Sequence, residues 1–218
     1  MPSESNSLPR WVHSFALLRD RTVTRDEAGL LHSVARDGSD NEVTCAWPAA
    51  EDLASLMADP DLASQAGQTM LTLLGAPEAA VIDELQAQGW NRKGNRVLLA
   101  ALANDVDQVI NLPETATLFE APMENYDVVE IADFDAPAGR GRIHFSQGFA
   151  LLGDPNIIAT SNAEQFRAAI LANLAAAATR QGLPVLFMVT SADNATGTRA
   201  ERAKGWSNAT QLTTFARA

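Results

Sequence analysis

The stretch Ile157–Trp206, IIATSNAEQFRAAILANLAAAATRQGLPVLFMVTSADNATGTRAERAKGW, decides how the rest of the chain is read. Its order is strand, loop, Ala-rich helix, strand, then a short helix closed by Gly205-Trp206. From about Ala163 to Gln181, apolar residues recur at Phe166, Ile170, Leu171, Leu174 and Ala178, the spacing of one buried helical stripe. Gly182-Leu183-Pro184 ends that helix, with a helix-ending Gly and a Pro that cannot continue the turn. Val185–Val189 (VLFMV) is apolar without alternation, as in a strand covered on both faces. A strand–helix–strand unit of this length is a parallel crossover. The loop Thr160–Gln165 therefore lies where a strand's carboxyl end meets a helix's amino end. Free backbone N–H groups converge at such a point, and α/β proteins often bind ligands there.

Upstream of this unit, Tyr126–Ala132 (YDVVEIA) is a strand and Asp135–Gly139 a turn by composition. Arg142–Phe145 and Phe149–Leu152 are strands split by a Gln147-Gly148 hairpin connection. Gly153-Asp154-Pro155 turns the chain into a strand over Asn156–Thr160, and Asn104–Asn125 is a connecting segment. In the first half, Leu8–Arg19 is a short apolar segment, helix or strand, and Thr24–Asn41 is polar and carries little signal. Glu42–Trp47 alternates and is ended by Pro48, as a strand would be. Glu51-Asp52 open a helix through Met57, with acids where the helix dipole favours them. Thr69–Leu74 is a strand, Pro77–Gln88 a helix ending at Gly89-Trp90, and Arg96–Leu102 a strand.

That order recurs. Gly89-Trp90 and Gly205-Trp206 are 205 − 89 = 116 residues apart. The same offset lays TMLTLLG from Thr69 on VLFMVTS from Val185, and NRKGNRVLLAA from Asn91 on SNATQLTTFAR from Ser207. Each copy is strand, helix, Gly-Trp, strand, which points to an internal duplication. The plainer account is that strand–helix–strand units recur in any α/β protein.

Composition narrows the function classes. Sixteen basic against 27 acidic residues give a net charge of −11, which argues against nucleic acid as the main partner. Cys45 is the only cysteine, so neither an internal disulfide nor a cysteine-rich metal site exists. His13, His32 and His144 have no metal-ligand spacing, and no metal is expected. The start, MPSESNSLPR, lacks the apolar core of a signal peptide. The most apolar helix carries Glu164, Arg167 and Arg180 and is too Ala-rich to span a bilayer. The expectation is a soluble, cytoplasmic protein without membrane contact. A homodimer is the default assembly, dimers being the commonest among soluble proteins.

Asn194, Gly205-Trp206 and the strand–loop–helix before them resemble the GCN5-related N-acetyltransferase (GNAT) superfamily. More narrowly, the chain is similar to two-half members with a shortened amino-terminal GNAT-like half. In that superfamily a pyrophosphate loop, Arg/Gln-x-x-Gly-x-Gly/Ala, starts the long helix. The next strand and helix carry Asn-x-x-Ala-x-x-Leu-Tyr-x-x-x-Gly-Phe. Here the loop falls on Asn162-Ala163-Glu164-Gln165-Phe166-Arg167, with Gln165 and Arg167 in the two glycine places. The tyrosine that often protonates the leaving thiolate falls on Glu201, and Gly197 stands where alanine is usual.

The resemblance implies an α/β GNAT-like fold with a mixed sheet and two related halves, 1–112 and 113–218, the second more complete. It implies an N-acetyltransferase that moves acetyl from acetyl-CoA to a small-molecule or protein amine. The alternative is an inactive GNAT scaffold serving binding or interaction. Cofactor-binding candidates are Asn162, Ala163, Gln165, Phe166, Arg167 and Asn194, with backbone amides at Ile157, Ile158 and Ala159. Side chains at 165 and 167 occupy space that glycine leaves for phosphates. Arg167 could instead meet a phosphate, while Glu164 places a negative charge beside any anion. Glu201 is the candidate acid, provided burial raises its pKa, or else a solvated residue between Arg199 and Arg202. Glu130 and Asp133 are candidate bases near a strand end, or solvated acids. Arg140-Gly141-Arg142 is a possible phosphate clamp or a turn with outward arginines, and His144 a base or a bonded strand histidine. Asn162 and Asn194 also suit simple helix caps, and Trp90 and Trp206 suit packing of helix on sheet.

Overall fold

The structure, a computed structural model, describes residues 8–63, 68–192 and 204–217. It falls into two compact units, neither a single run of sequence. The first takes residues up to Val97 together with 191–193 and 210–218; the second takes 98–190 and 194–209.

In the first unit, helix α1 (Trp11–Leu18) precedes the antiparallel strands β1 (Arg21–Glu27), β2 (Leu30–Ala35) and β3 (Asp40–Ala46). Two short helices, α2 (Leu53–Met57) and α3 (Pro60–Ala63), lead to β4 (Gln68–Leu74), parallel to β3. Helix α4 (Ala79–Ala87) comes next, then β5 (Asn91–Leu102), whose amino-terminal part belongs here. The carboxy-terminal part of the last strand, β12 (Ser207–Arg217), lies antiparallel to β4, with Leu212 opposite Leu74. Val43, Leu71, Leu73 and Phe215 on one face of these strands pack with Leu53, Leu62, Val81, Leu85 and Trp90. The polar segment Thr24–Asn41 thus holds parts of three strands. Their signal is hidden because the buried positions are partly polar: Arg21, His32, Ser33 and Glu42 are all within 5% of fully buried. Thr72 Oγ1 donates to Glu42 Oε1 at 2.6 Å, Arg19 pairs with the same carboxylate, and Arg21 Nε lies 3.2 Å from its Oε2.

In the second unit, β6 (Ala116–Pro122), β7 (Asp127–Asp133), β8 (Ala136–Ser146) and β9 (Phe149–Gly153) form an antiparallel meander. A two-residue strand, β10 (Asn156–Ile157), continues along β8. Helix α5 (Ala163–Arg180) then crosses over to β11 (Val185–Ser191), parallel to β9 and flanked by the end of β5. The long helix and its crossover match the sequence reading. The connection over Asn104–Asn125 contains β6, a mostly exposed strand that alternation of burial could not announce.

Asp135–Gly139 is not a turn. Phe134 and Asp135, with φ of 49° and 62°, make the turn, and β8 runs from Ala136 through both glycines and Arg140-Gly141-Arg142. Those glycines serve close packing. A Cβ at Gly141 would stand 2.3 Å from Ile170 Cγ2 and 3.1 Å from Leu174 Cδ1, both on α5. The helix therefore rests directly on the β8 backbone, and Phe166, Ile170 and Leu174 are fully buried. No helix among the described residues is long and apolar enough to cross a membrane.

Gly141→Ala is expected to cost about 1–3 kcal/mol, because Ile170 must leave its rotamer or α5 must lift; urea unfolding of the variant measures it. In the first unit, burial and then Asp59 raise the Cys45 thiol from 9.0 to about 12. Between those values the unfolded chain loses a proton that the folded chain keeps, so stability falls as pH rises from 9 toward 12. The native thiol is expected to resist a thiol reagent at pH 8 and to react no faster than the chain opens. Absorbance of the released thiol product tracks that rate.

Candidate functional site

The second unit opens where β9 stops pairing with β11. The parallel register runs from Phe149 opposite Val185 to Gly153 opposite Val189 and ends there. Pro155 has no N–H for the ladder, and Asn156 and Ile157 pair instead with Arg140 and Gly139 of β8. The Ile158 N–H donates to Ala138 O at 2.9 Å, which makes 158–138 a bonded pair and 157–139 a non-bonded one by antiparallel alternation. The N–H and C=O of Ile157 therefore point away from β8. The first unit has no such opening at its parallel pair. There β3 and β4 stay in register from Asp40–Gln68 to Ala46–Leu74, and the Trp47 N–H still donates to Leu74 O at 3.2 Å.

Five residues beyond Ile157, Asn162 adopts φ 57° and makes no side-chain cap bond to α5. The first helical bond closes from Phe166 N to Asn162 O at 2.9 Å. The N–H groups of Ala163, Glu164 and Gln165 are those a helix start leaves without helical acceptors. Gln165 is half-buried, its amide 3.5 Å from Asn111. Phe166 is a core residue whose ring is wholly buried, so it offers a cofactor neither side chain nor amide.

Arg167 turns inward. Its NH1 stands 2.7 Å from Asp154 Oδ1, while Thr190 Oγ1 donates to Asp154 Oδ2 at 2.7 Å. Asp154 thus ties the end of β11 to the first turns of α5. Sequence reading places Asp154 only in a turn; the available signal is an Asp-Pro pair directly after a buried strand. The amides of Ile158 and Ala159 both donate to Ala138 O, so they are engaged in the fold and not free to hold a ligand oxygen.

Glu130 lies on β7, exposed, its Oε1 3.4 Å from Arg140 Nε. Register places Glu130, Arg140 and Asn156 in one cross-strand row. Glu130 is therefore two strand spacings, roughly 10 Å, from the strand bordering the opening. Arg142 stacks on the Tyr126 ring at 4.7 Å, His144 Nδ1 bonds Asn125 O at 2.6 Å, and Asp133 accepts from Thr115 at 2.6 Å. Trp90 and Trp206 are buried, as packing residues are. Asn194 and Glu201 lie outside the described residues.

A second constellation sits in the first unit, with no spacing in sequence to announce it. His32 Nδ1 lies 2.6 Å from Asp61 Oδ2, and its Nε2 3.6 Å from Asp59 Oδ2. Arg25 already supplies a cation to this cluster, 2.6 Å from the same Asp59 oxygen, and ties β1 to the start of α3.

Known structures share this architecture. A GCN5-related N-acetyltransferase from Kribbella flavida superposes with a TM-score of 0.67 at 13% identity, over 94% of this chain and 92% of that one. A functionally unknown protein from Staphylococcus epidermidis gives 0.68 at 6% identity, over 91% and 94%. A tandem GNAT protein from the clavulanic acid biosynthesis pathway gives 0.62 at 11%, over 86% and 77%. The chain has the GNAT fold. No family model and no curated protein matches it by sequence. The two-half organisation agrees with the tandem structure.

The Arg167–Asp154 pair is half-screened by solvent, so a double-mutant cycle with Arg167→Ala and Asp154→Asn is expected to give a coupling of about 0.5–1 kcal/mol. Chemical denaturation of the four proteins measures it, and the coupling should shrink in high salt.

Proposed function

We propose that the second unit binds an acyl-coenzyme A, acetyl-CoA in the first instance, and that the protein passes the acyl group to an amine. The observation that carries this reading is the Ile157 peptide, turned away from β8 where β9 and β11 part. An amide-bearing pantetheine arm fits beside it as an added strand would, accepting from its N–H and donating to its C=O. The N–H groups of Ala163, Glu164 and Gln165, which have no helical acceptors, and the positive end of α5 favour the diphosphate. When bound, the cosubstrate supplies a thioester whose carbonyl carbon takes the nucleophile and whose sulfur leaves.

The chain's own groups orient and deprotonate. Ile157 fixes the arm, and Glu130 accepts the amine proton through a chain of waters, given the two strands between it and the opening. The acceptor is a small-molecule or protein amine met in the cytoplasm. A second reading, a non-catalytic GNAT scaffold, draws on a specific observation as well. Arg167 is committed to Asp154, and the Ile158 and Ala159 amides to Ala138, so three groups a transferase would use are engaged elsewhere.

Isothermal titration of acetyl-CoA separates the two. Micromolar affinity is expected, and Ile157→Pro, which removes an N–H that the β8 ladder does not use, should weaken it at least about tenfold, roughly 1.4 kcal/mol. Folded wild-type protein that takes up no acetyl-CoA at millimolar concentration overturns the transferase reading and leaves the scaffold.

A further inference from the structure

Beneath the carboxy-terminal half of α5, against β6, β7 and β8, lies a cavity of about 330 Å³. Its walls are apolar at Val129, Phe145 and Leu174, and its polar lining is rich in acceptors. Asn173, only 3% exposed, is the one polar residue among the buried positions of the helix. Its Nδ2 donates to Glu120 Oε1 at 2.6 Å, while its buried Oδ1 has no hydrogen-bond partner. The mostly exposed Arg180 also approaches Glu120, at 3.7 Å. Asp127, opposite Pro122 at the end of the β6–β7 pair, also lines the space. Two carboxylates thus face one solvent-exposed guanidinium and the Gln181 side-chain amide, a deficit of one positive charge, with the unpartnered Asn173 oxygen buried in the wall.

We infer that this cavity binds a small organic cation, a primary ammonium carried on a compact apolar body. An ammonium brings three N–H donors and the missing charge, and the hydrocarbon covers the apolar wall. A buried unsatisfied oxygen is costly, so a ligand N–H that reaches Asn173 gains what the empty site lacks. The volume suits a single-ring molecule and is too small for a nucleotide. The site is not the acyl acceptor site: Val129 lines it, while Glu130, the next residue of β7, projects from the opposite face of the sheet. It stands whether or not the protein binds acetyl-CoA.

Phenethylammonium chloride is the probe, titrated into the full chain by calorimetry and by amide NMR. Saturable binding at one site is expected, with the Asn173 side-chain amide among the resonances that shift. Glu120→Gln with Asp127→Asn should weaken binding at least about tenfold, and Asn173→Leu should abolish it without lowering the melting temperature. 3-Phenylpropionate and 2-phenylethanol, of the same body without the cation, should not compete. Three results each overturn the inference: no saturable binding at about 10 mM probe, equal binding of the anion, or affinity unchanged in the folded Asp127→Asn and Asn173→Leu proteins.

Discussion

The second unit is organised by the end of one parallel ladder. Between β9 and β11 the backbone bonds stop at Gly153 and Val189, because Pro155 cannot donate. The backbone beyond that proline must find other partners. Asn156–Ile158 find them on β8, and the Asp154 carboxylate replaces the lost backbone bonds with Thr190 on one side and Arg167 on the other. The strands are tied across their parting by side chains, and the Ile157 peptide is turned away from β8. The first unit uses a similar strand-ending proline, Pro48, but there the Trp47 N–H keeps its ladder bond. One residue of register separates a closed pair from an open one.

A parting of strands is useful only if the next helix is held against it, and that depends on β8. Gly139 and Gly141 bring Ile170 and Leu174 onto the strand backbone. The closeness sets where α5 begins, and so where its free N–H groups point. The first unit has no equivalent among its described residues, since its crossover is two helices of five and four residues. It carries instead a buried charged face. Glu42, 1% exposed, is met by Arg19 and Arg21, and Thr72 joins it to Thr214. Burial, then the cations Arg21 and Arg96, lowers the Arg19 pKa. Such networks add little net stability, but each member is costly to remove alone. Their effect here is to hold β1, β3, β4 and β12 in one register.

Legibility in the sequence tracks burial. The helix over Ala163–Arg180 and the strand at VLFMV are apolar on their buried sides, and both are readable. The Gly-Trp repeat locates β4 and β11, and β5 and β12, because tryptophan packing demands the same surroundings twice. Strands β1 and β2 are not readable, since arginine, histidine and serine fill their buried positions. Nor is β6, with little buried surface at all. Gly139 reads as a turn residue because a glycine chosen for close approach looks in sequence like one chosen for a left-handed φ. At the site, position is legible and direction is not. Spacing places Arg167 on the first turns of α5, but nothing in the sequence says that its guanidinium turns inward to Asp154.

That inward turn bears on why the loop tolerates Gln165 and Arg167 in place of glycine. Glycine at those points serves to bring backbone near phosphate, and a side chain is harmful only if it projects into the same space. Arg167 folds away and is 16% exposed, while Gln165 projects outward to Asn111. With Arg167 held by Asp154, an anion at this helix start would be left to the helix dipole and the first-turn N–H groups. Such an anion would meet a helix end and not a glycine-lined loop. In the acyl-CoA reading proposed above, more of the affinity would then fall to the pantetheine arm and the Ile157 peptide.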